Sequence, residues 1–122
     1  MADGEQRLLM LIDDEPAQSR LITALAAREG WRTLVVRDSE TAIATLGTRQ
    51  GMTLSAIILD QWVPGDQACE LIRELKDRRP ALPILLATGY ADLPEGSQLD
   101  LPRLAKPYHQ DQLRDRLDQM LG

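Results

Sequence analysis

Phenylalanine is missing from this 122-residue chain, and Trp, Tyr, Cys and His are scarce, with two, two, one and one copies. With a single cysteine, Cys69, no internal disulfide can form; the residue falls in a helical pattern and reads as a small buried side chain. A basic excess is also lacking: 14 Lys and Arg stand against 19 Asp and Glu, a net charge of −5. That balance offers no cationic face to a phosphate backbone, so no direct nucleic-acid contact by this domain is expected. No run reaches the roughly 18 consecutive apolar residues of a membrane span, and the polar, acidic start is unlike a signal peptide. Repeats, low-complexity tracts and linkers are absent as well. These exclusions leave one domain over residues 1–122, its core spanning about 7–121, expected to be cytoplasmic and to touch no membrane.

What is present is an alternation of short apolar runs with amphipathic stretches. Residues 7–12 read as a buried strand, followed by Pro16 in a first helical turn and a stripe of Leu21, Ile22, Leu25 and Ala26 that ends near Gly30. Residues 32–36 give a second strand, and Asp38 or Ser39 caps a helix whose inner face is Ala42, Ile43 and Leu46. A third strand, 56–59, ends at Asp60. Val63-Pro64-Gly65 then turns into a helix over about 66–78 with Leu71, Ile72 and Leu75 inward. Residues 84–87 and 104–105 are the last two strands, and a helix over about 110–120 closes the chain. This order implies an α/β fold with a parallel sheet and right-handed crossovers. Gly89, Pro94, Gly96 and Pro102 interrupt residues 89–103, so the fourth crossover is expected to be short or irregular rather than a full helix.

The chemistry gathers at strand ends. Asp13, Asp14 and Glu15 follow the first strand directly; adjacent acids repel unless a cation or solvent compensates, and such hard oxygen donors suit Mg²⁺. Glu15 is also explained as an acid favoured at a helix N-terminus. Asp60 ends the third strand, beside the first in the usual doubly wound order, and a carboxylate held ionised by a cation can attack phosphorus. Thr88 after the fourth strand and Lys106 after the fifth supply a hydrogen-bond donor and a point charge for phosphoryl oxygens. The lone His109 reads as a helix-start residue rather than a phosphoryl donor.

Taken together, Leu11-Ile12-Asp13-Asp14-Glu15-Pro16, Ile58-Leu59-Asp60-Gln61-Trp62-Val63-Pro64-Gly65, Leu86-Ala87-Thr88-Gly89-Tyr90 and Ala105-Lys106-Pro107-Tyr108 resemble the receiver domain of two-component response regulators. The resemblance implies a flavodoxin-like three-layer sandwich with five parallel strands in order 2-1-3-4-5. It also implies Asp60 as the acceptor of a phosphoryl group from a histidine kinase or histidine phosphotransferase, with an output domain or protein as the other partner. Asp14 would ligate Mg²⁺ directly, Asp13 mainly through water, and the Trp62 backbone carbonyl would be a further ligand. Thr88 would be the switch hydroxyl and Lys106 the phosphate-binding lysine. Such a domain switches partner binding and catalyses only its own phosphorylation and dephosphorylation. Two alternatives are a Mg²⁺-dependent phosphohydrolase with an aspartate nucleophile and a pseudo-receiver that is never phosphorylated. The first places its nucleophile after strand 1, unlike this chain, and the second is disfavoured by the intact polar set. One departure is Arg103, where receivers usually carry Tyr or Phe, so switching is expected to pass through another rearrangement, such as ordering of residues 89–103. Trp62 and Tyr90 stand where the family's hydrolytic water passes; one reading is that they hinder water and lengthen the phosphoryl lifetime, the other that Trp62 merely covers the loop after strand 3.

Overall fold

The computed structural model describes residues 7–13, 15–60, 65–88, 103–105 and 109–121. Strands β1 (Arg7–Ile12), β2 (Trp31–Val36), β3 (Leu54–Asp60), β4 (Ile84–Thr88) and β5 (Arg103–Ala105) alternate with helices α1 (Pro16–Arg28), α2 (Ser39–Leu46), α3 (Arg49–Met52), α4 (Gly65–Arg78) and α5 (Gln110–Leu121). All strand pairs are parallel, and the sheet order is β2-β1-β3-β4-β5, as expected.

Both faces of the sheet are covered, which is why its strands read as unbroken apolar runs rather than as alternations. Leu9, Leu11, Ala56, Ile58, Leu85 and Ala87 point to one side, where Ile22 and Ala26 of α1 and Leu113 and Leu117 of α5 close the layer. Leu8, Met10, Ile12, Ile57, Leu59, Ile84 and Leu86 point to the other, against Ala42 and Leu46 of α2 and Leu71, Ile72 and Leu75 of α4. The result is a three-layer, flavodoxin-like sandwich.

Helix ends follow local chemistry. Glu15 caps α1 with Pro16 in its first turn, and Gly30 takes φ +85° just past the helix, a conformation open to a residue without Cβ. The Asp38 carboxylate accepts the Thr41 N–H at 2.7 Å at the start of α2. That bond holds its pKa below the ordinary carboxylate value.

Two features depart from expectation. The inward stripe of α1 is Ser19, Ile22 and Ala26, while Leu21 is 46% exposed. Position 21 lies about 100° from Ile22 on the helix, and once Ser19, Ile22 and Ala26 face the sheet it is turned to solvent. The single turn α3 shows no periodic signal in four residues. It forms because Thr48 Oγ1 accepts the Gly51 N–H at 3.0 Å and because Arg79 donates to the Gly51 carbonyl at 2.8 Å. The fourth crossover, residues 89–102, lies outside the described residues, as do the side chains of Cys69 and Arg103. Among the described residues no helix is long and apolar enough to cross a membrane.

Candidate functional site

Parallel strands that share a direction bring their C-terminal ends to one edge of the sheet. Ile12 pairs with Leu59, so Asp13, the residue just past β1, and Asp60, the last residue of β3, follow that pair on neighbouring strands, which lie about 4.8 Å apart. Asp60 in turn pairs with Ala87, which puts Thr88 one rung further on the next strand. Thr88 pairs with Ala105, the residue before Lys106. The backbone alone therefore gathers the ends of β1, β3, β4 and β5 at a single edge, where open α/β sheets bind ligands.

Asp13 is the member whose surroundings are described. Its N–H donates to the Val36 carbonyl at 2.9 Å, continuing the β1–β2 ladder by one residue. Its side chain is 1% exposed, and Oδ1 accepts the Glu15 N–H at 2.9 Å. An ionised carboxylate taken out of water needs compensating donors or positive charge. Among the described residues no group of three or more His, Cys, Asp or Glu side chains could hold a metal ion; Asp13 alone is a hard oxygen donor of the kind Mg²⁺ takes.

Glu15 serves the helix. Its Oε1 accepts the Ala17 N–H at 3.3 Å, and its carbonyl accepts both Ser19 N–H, at 3.0 Å, and Ser19 Oγ, at 3.1 Å. Ser19 is itself buried. Reading the residue types had not singled out this Asp13–Glu15–Ser19 chain of hydrogen bonds. The available signal was the Asp-x-Glu spacing, which suits an Asx-type bond two residues on, followed by a Ser one helical turn later.

Of the remaining site residues, Asp60 and Thr88 are placed by their backbones at the ends of β3 and β4. Asp14, Trp62, Tyr90 and Lys106 lie outside the described residues. His109 immediately precedes α5: its N–H donates to Gln112 Oε1 at 2.8 Å and its carbonyl accepts the Gln112 and Leu113 N–H groups. It is a helix-start residue, as its position in the sequence implied.

Residues 9–118 match the family model of the response regulator receiver domain. The chain belongs to that family. It is 28% identical over 88 residues to the probable transcriptional regulatory protein TcrX of Mycobacterium tuberculosis, covering 72% of this chain and 36% of that protein. The nitrogen assimilation regulatory protein NtrX of Azorhizobium caulinodans is 27% identical over 112 residues, 86% of this chain and 24% of that protein. FixJ, a transcriptional regulatory protein of Bradyrhizobium diazoefficiens, is 28% identical over 109 residues, 86% and 52% of the two chains. This chain therefore spans between about a quarter and a half of the length of these curated relatives. Among solved structures, a sensor protein from Polaromonas superposes with a TM-score of 0.81 at 22% identity, covering 96% of this chain and 97% of that one. A receiver domain protein from Clostridium thermocellum gives 0.78 at 22% identity, with 94% of each chain covered. At this identity the superpositions speak for the fold.

Proposed function

We propose that this receiver domain takes a phosphoryl group on Asp60 from the phosphohistidine of a histidine kinase or histidine phosphotransferase, and that the modified domain changes its affinity for an output domain or protein, in the cytoplasm. The observation that carries the reading is the buried Asp13 carboxylate, which follows Ile12 as Asp60 follows its partner Leu59.

In the transfer, an Asp60 carboxylate oxygen attacks phosphorus, an O–P bond forms, the donor's N–P bond breaks, and the imidazole keeps the electron pair and takes a proton. Asp13, Asp14, Asp60 and the Trp62 carbonyl would hold Mg²⁺, Asp13 mainly through water. When bound, the ion would offset charge on the phosphoryl oxygens and on the clustered carboxylates. Asp13, fixed by the Glu15 N–H, orients this arrangement. Thr88 donates a hydrogen bond to a phosphoryl oxygen, and Lys106 adds a positive charge. Trp62 and Tyr90 hinder water from reaching the acyl phosphate. The chemistry consumes one donor per domain and is no turnover reaction on a free substrate.

Incubation with acetyl phosphate and Mg²⁺, read by intact mass, tests this. The expected result is a gain of one phosphoryl group that requires Mg²⁺ and is lost in Asp60→Asn. Repeated turnover of small phosphate esters would instead support a phosphohydrolase, and no adduct and no turnover a pseudo-receiver.

A further inference from the structure

Two surfaces on the outer sides of the helices match each other. On α1 the outermost positions Ala17, Leu21, Ala24 and Arg28 recur at spacings of four, three and four, all exposed. They form one stripe along the helix. Leu21 is 46% exposed at its centre, Arg20 lies beside it, and the helix sequence from Pro16 to Arg28 contains two arginines and no acid. On the opposite side of the sheet, α2 and α4 border a groove of about 370 Å³ lined by Ser39, Glu40, Ile43, Ala44 and Glu74. Its floor is apolar, with Ile43 resting on the core. Its rim carries one glutamate from each helix. Glu40 has no ion pair among the described residues, and Glu74 has only the loose, half-exposed contact to Arg78 at 3.5 Å.

We propose that the α1 stripe of one copy of this chain seats in the α2–α4 groove of a second copy. Leu21 meets Ile43 and Ala44, the two alanines let the helix come close, and Arg20 and Arg28 face Glu40 and Glu74. Charge fixes the pairing: basic–apolar against acidic–apolar, so neither surface matches itself. Because the two surfaces lie on opposite faces of the sheet, each contact leaves a free surface at either end. Assembly is then head-to-tail, an open chain or a closed ring, rather than a two-fold dimer. A contact of one helix face is smaller than a standard stable interface, so association is weak and shows only at high protein concentration.

Sedimentation velocity across a concentration series tests the proposal with two variants at exposed positions, Leu21→Glu for the stripe and Glu40→Lys with Glu74→Lys for the groove. Far-UV circular dichroism checks that both fold. The parent is expected to show a rising mean sedimentation coefficient, and each variant alone to lose at least about tenfold in association constant. An equimolar mixture of the two is expected to form a one-to-one dimer and nothing longer, since each variant retains the surface the other lacks. A parent that stays monomeric throughout, leaving stripe and groove to other proteins, overturns the proposal. So does a variant that assembles like the parent, or a mixture that stays monomeric where the parent assembles.

Discussion

Replacing Gly51 by Ala is expected to cost this domain about 1–5 kcal/mol, although the change adds a single methyl. A Cβ at this position would stand 1.9 Å from the Thr45 carbonyl oxygen and 2.8 Å from both Leu46 Cα and the Thr45 carbonyl carbon. All three are backbone atoms of α2, so no side chain can swing aside, and α3 must lift away. Moving it loosens two hydrogen bonds, from the Gly51 N–H to Thr48 Oγ1 and from Arg79 to the Gly51 carbonyl. Each is worth about 0.5–1.5 kcal/mol net. Overpacking adds about 1–3 kcal/mol, and the reduced freedom of the unfolded chain returns about 0.4–1 kcal/mol. Gly47 is the internal control: its nearest atom would be the Ala44 carbonyl oxygen at 3.6 Å, an ordinary contact, and its backbone is right-handed helical. Gly47→Ala should therefore be neutral or stabilising by up to about 1 kcal/mol. Urea unfolding followed by circular dichroism reads both, through a lower midpoint at unchanged slope for Gly51→Ala. A Gly51→Ala protein within about 0.5 kcal/mol of the parent, or no less stable than Gly47→Ala, would refute the steric reasoning.

The cap of α2 is sensitive to pH. Because the Thr41 hydrogen bonds lower the Asp38 pKa, its contribution is complete above the ordinary carboxylate pKa and disappears as pH falls through the lowered one. Thermal melts should thus show Asp38→Ala below the parent near neutrality and level with it in strong acid. Leu113, fully buried under the sheet, should cost about 2–5 kcal/mol when cut to Ala, whereas Leu21→Ala, at an exposed site, should stay within about 0.5 kcal/mol; the same urea assay separates them. Mg²⁺ at ten times its dissociation constant should stabilise the parent by about 1.4 kcal/mol, a rise of about 3–6 °C for a domain of this size. Asp13→Asn should reduce that rise, and an undiminished rise would remove Asp13 from the metal site.

Strand and helix positions were legible because burial on both faces leaves nearly continuous apolar runs, and because Pro16, Gly30 and Asp38 mark helix ends by chemistry that acts locally. Strand order, and with it the meeting of Asp13 and Asp60, came from the resemblance carried by the four motifs. The rotation of α1 was not legible: Leu21 and Ser19 trade the roles their polarity suggests, because the helix turns the small Ser19 toward the sheet, where its hydroxyl bonds the Glu15 carbonyl. Nor was α3, whose existence depends on a close approach between Gly51 and the backbone of α2 that no periodicity in four residues reports. Both misses concern tertiary contacts, which a one-dimensional pattern does not encode.

One such contact bears on the functional edge. Between Leu8 and Leu9 the β1–β3 register slips, from Leu8 opposite Leu54 to Leu9 opposite Ala56, so that Ser55 is the extra residue. Side chains alternate along a strand, so Leu54 and Ile57, three apart, would ordinarily face opposite sides. They pack in the same cluster, which a bulge at Ser55 permits. Without the extra residue, the pairing begun at Leu8 and Leu54 would set Ile12 opposite Ile58, and Asp13 opposite Leu59 rather than Asp60. The acids would then stand on different rungs, and their strands would present opposite faces to each other. The bulge lies at the far end of the sheet from the carboxylates, yet it brings them level. The alignment of Asp13 with Asp60 is therefore a property of the whole β1–β3 ladder and not of its terminal residues alone.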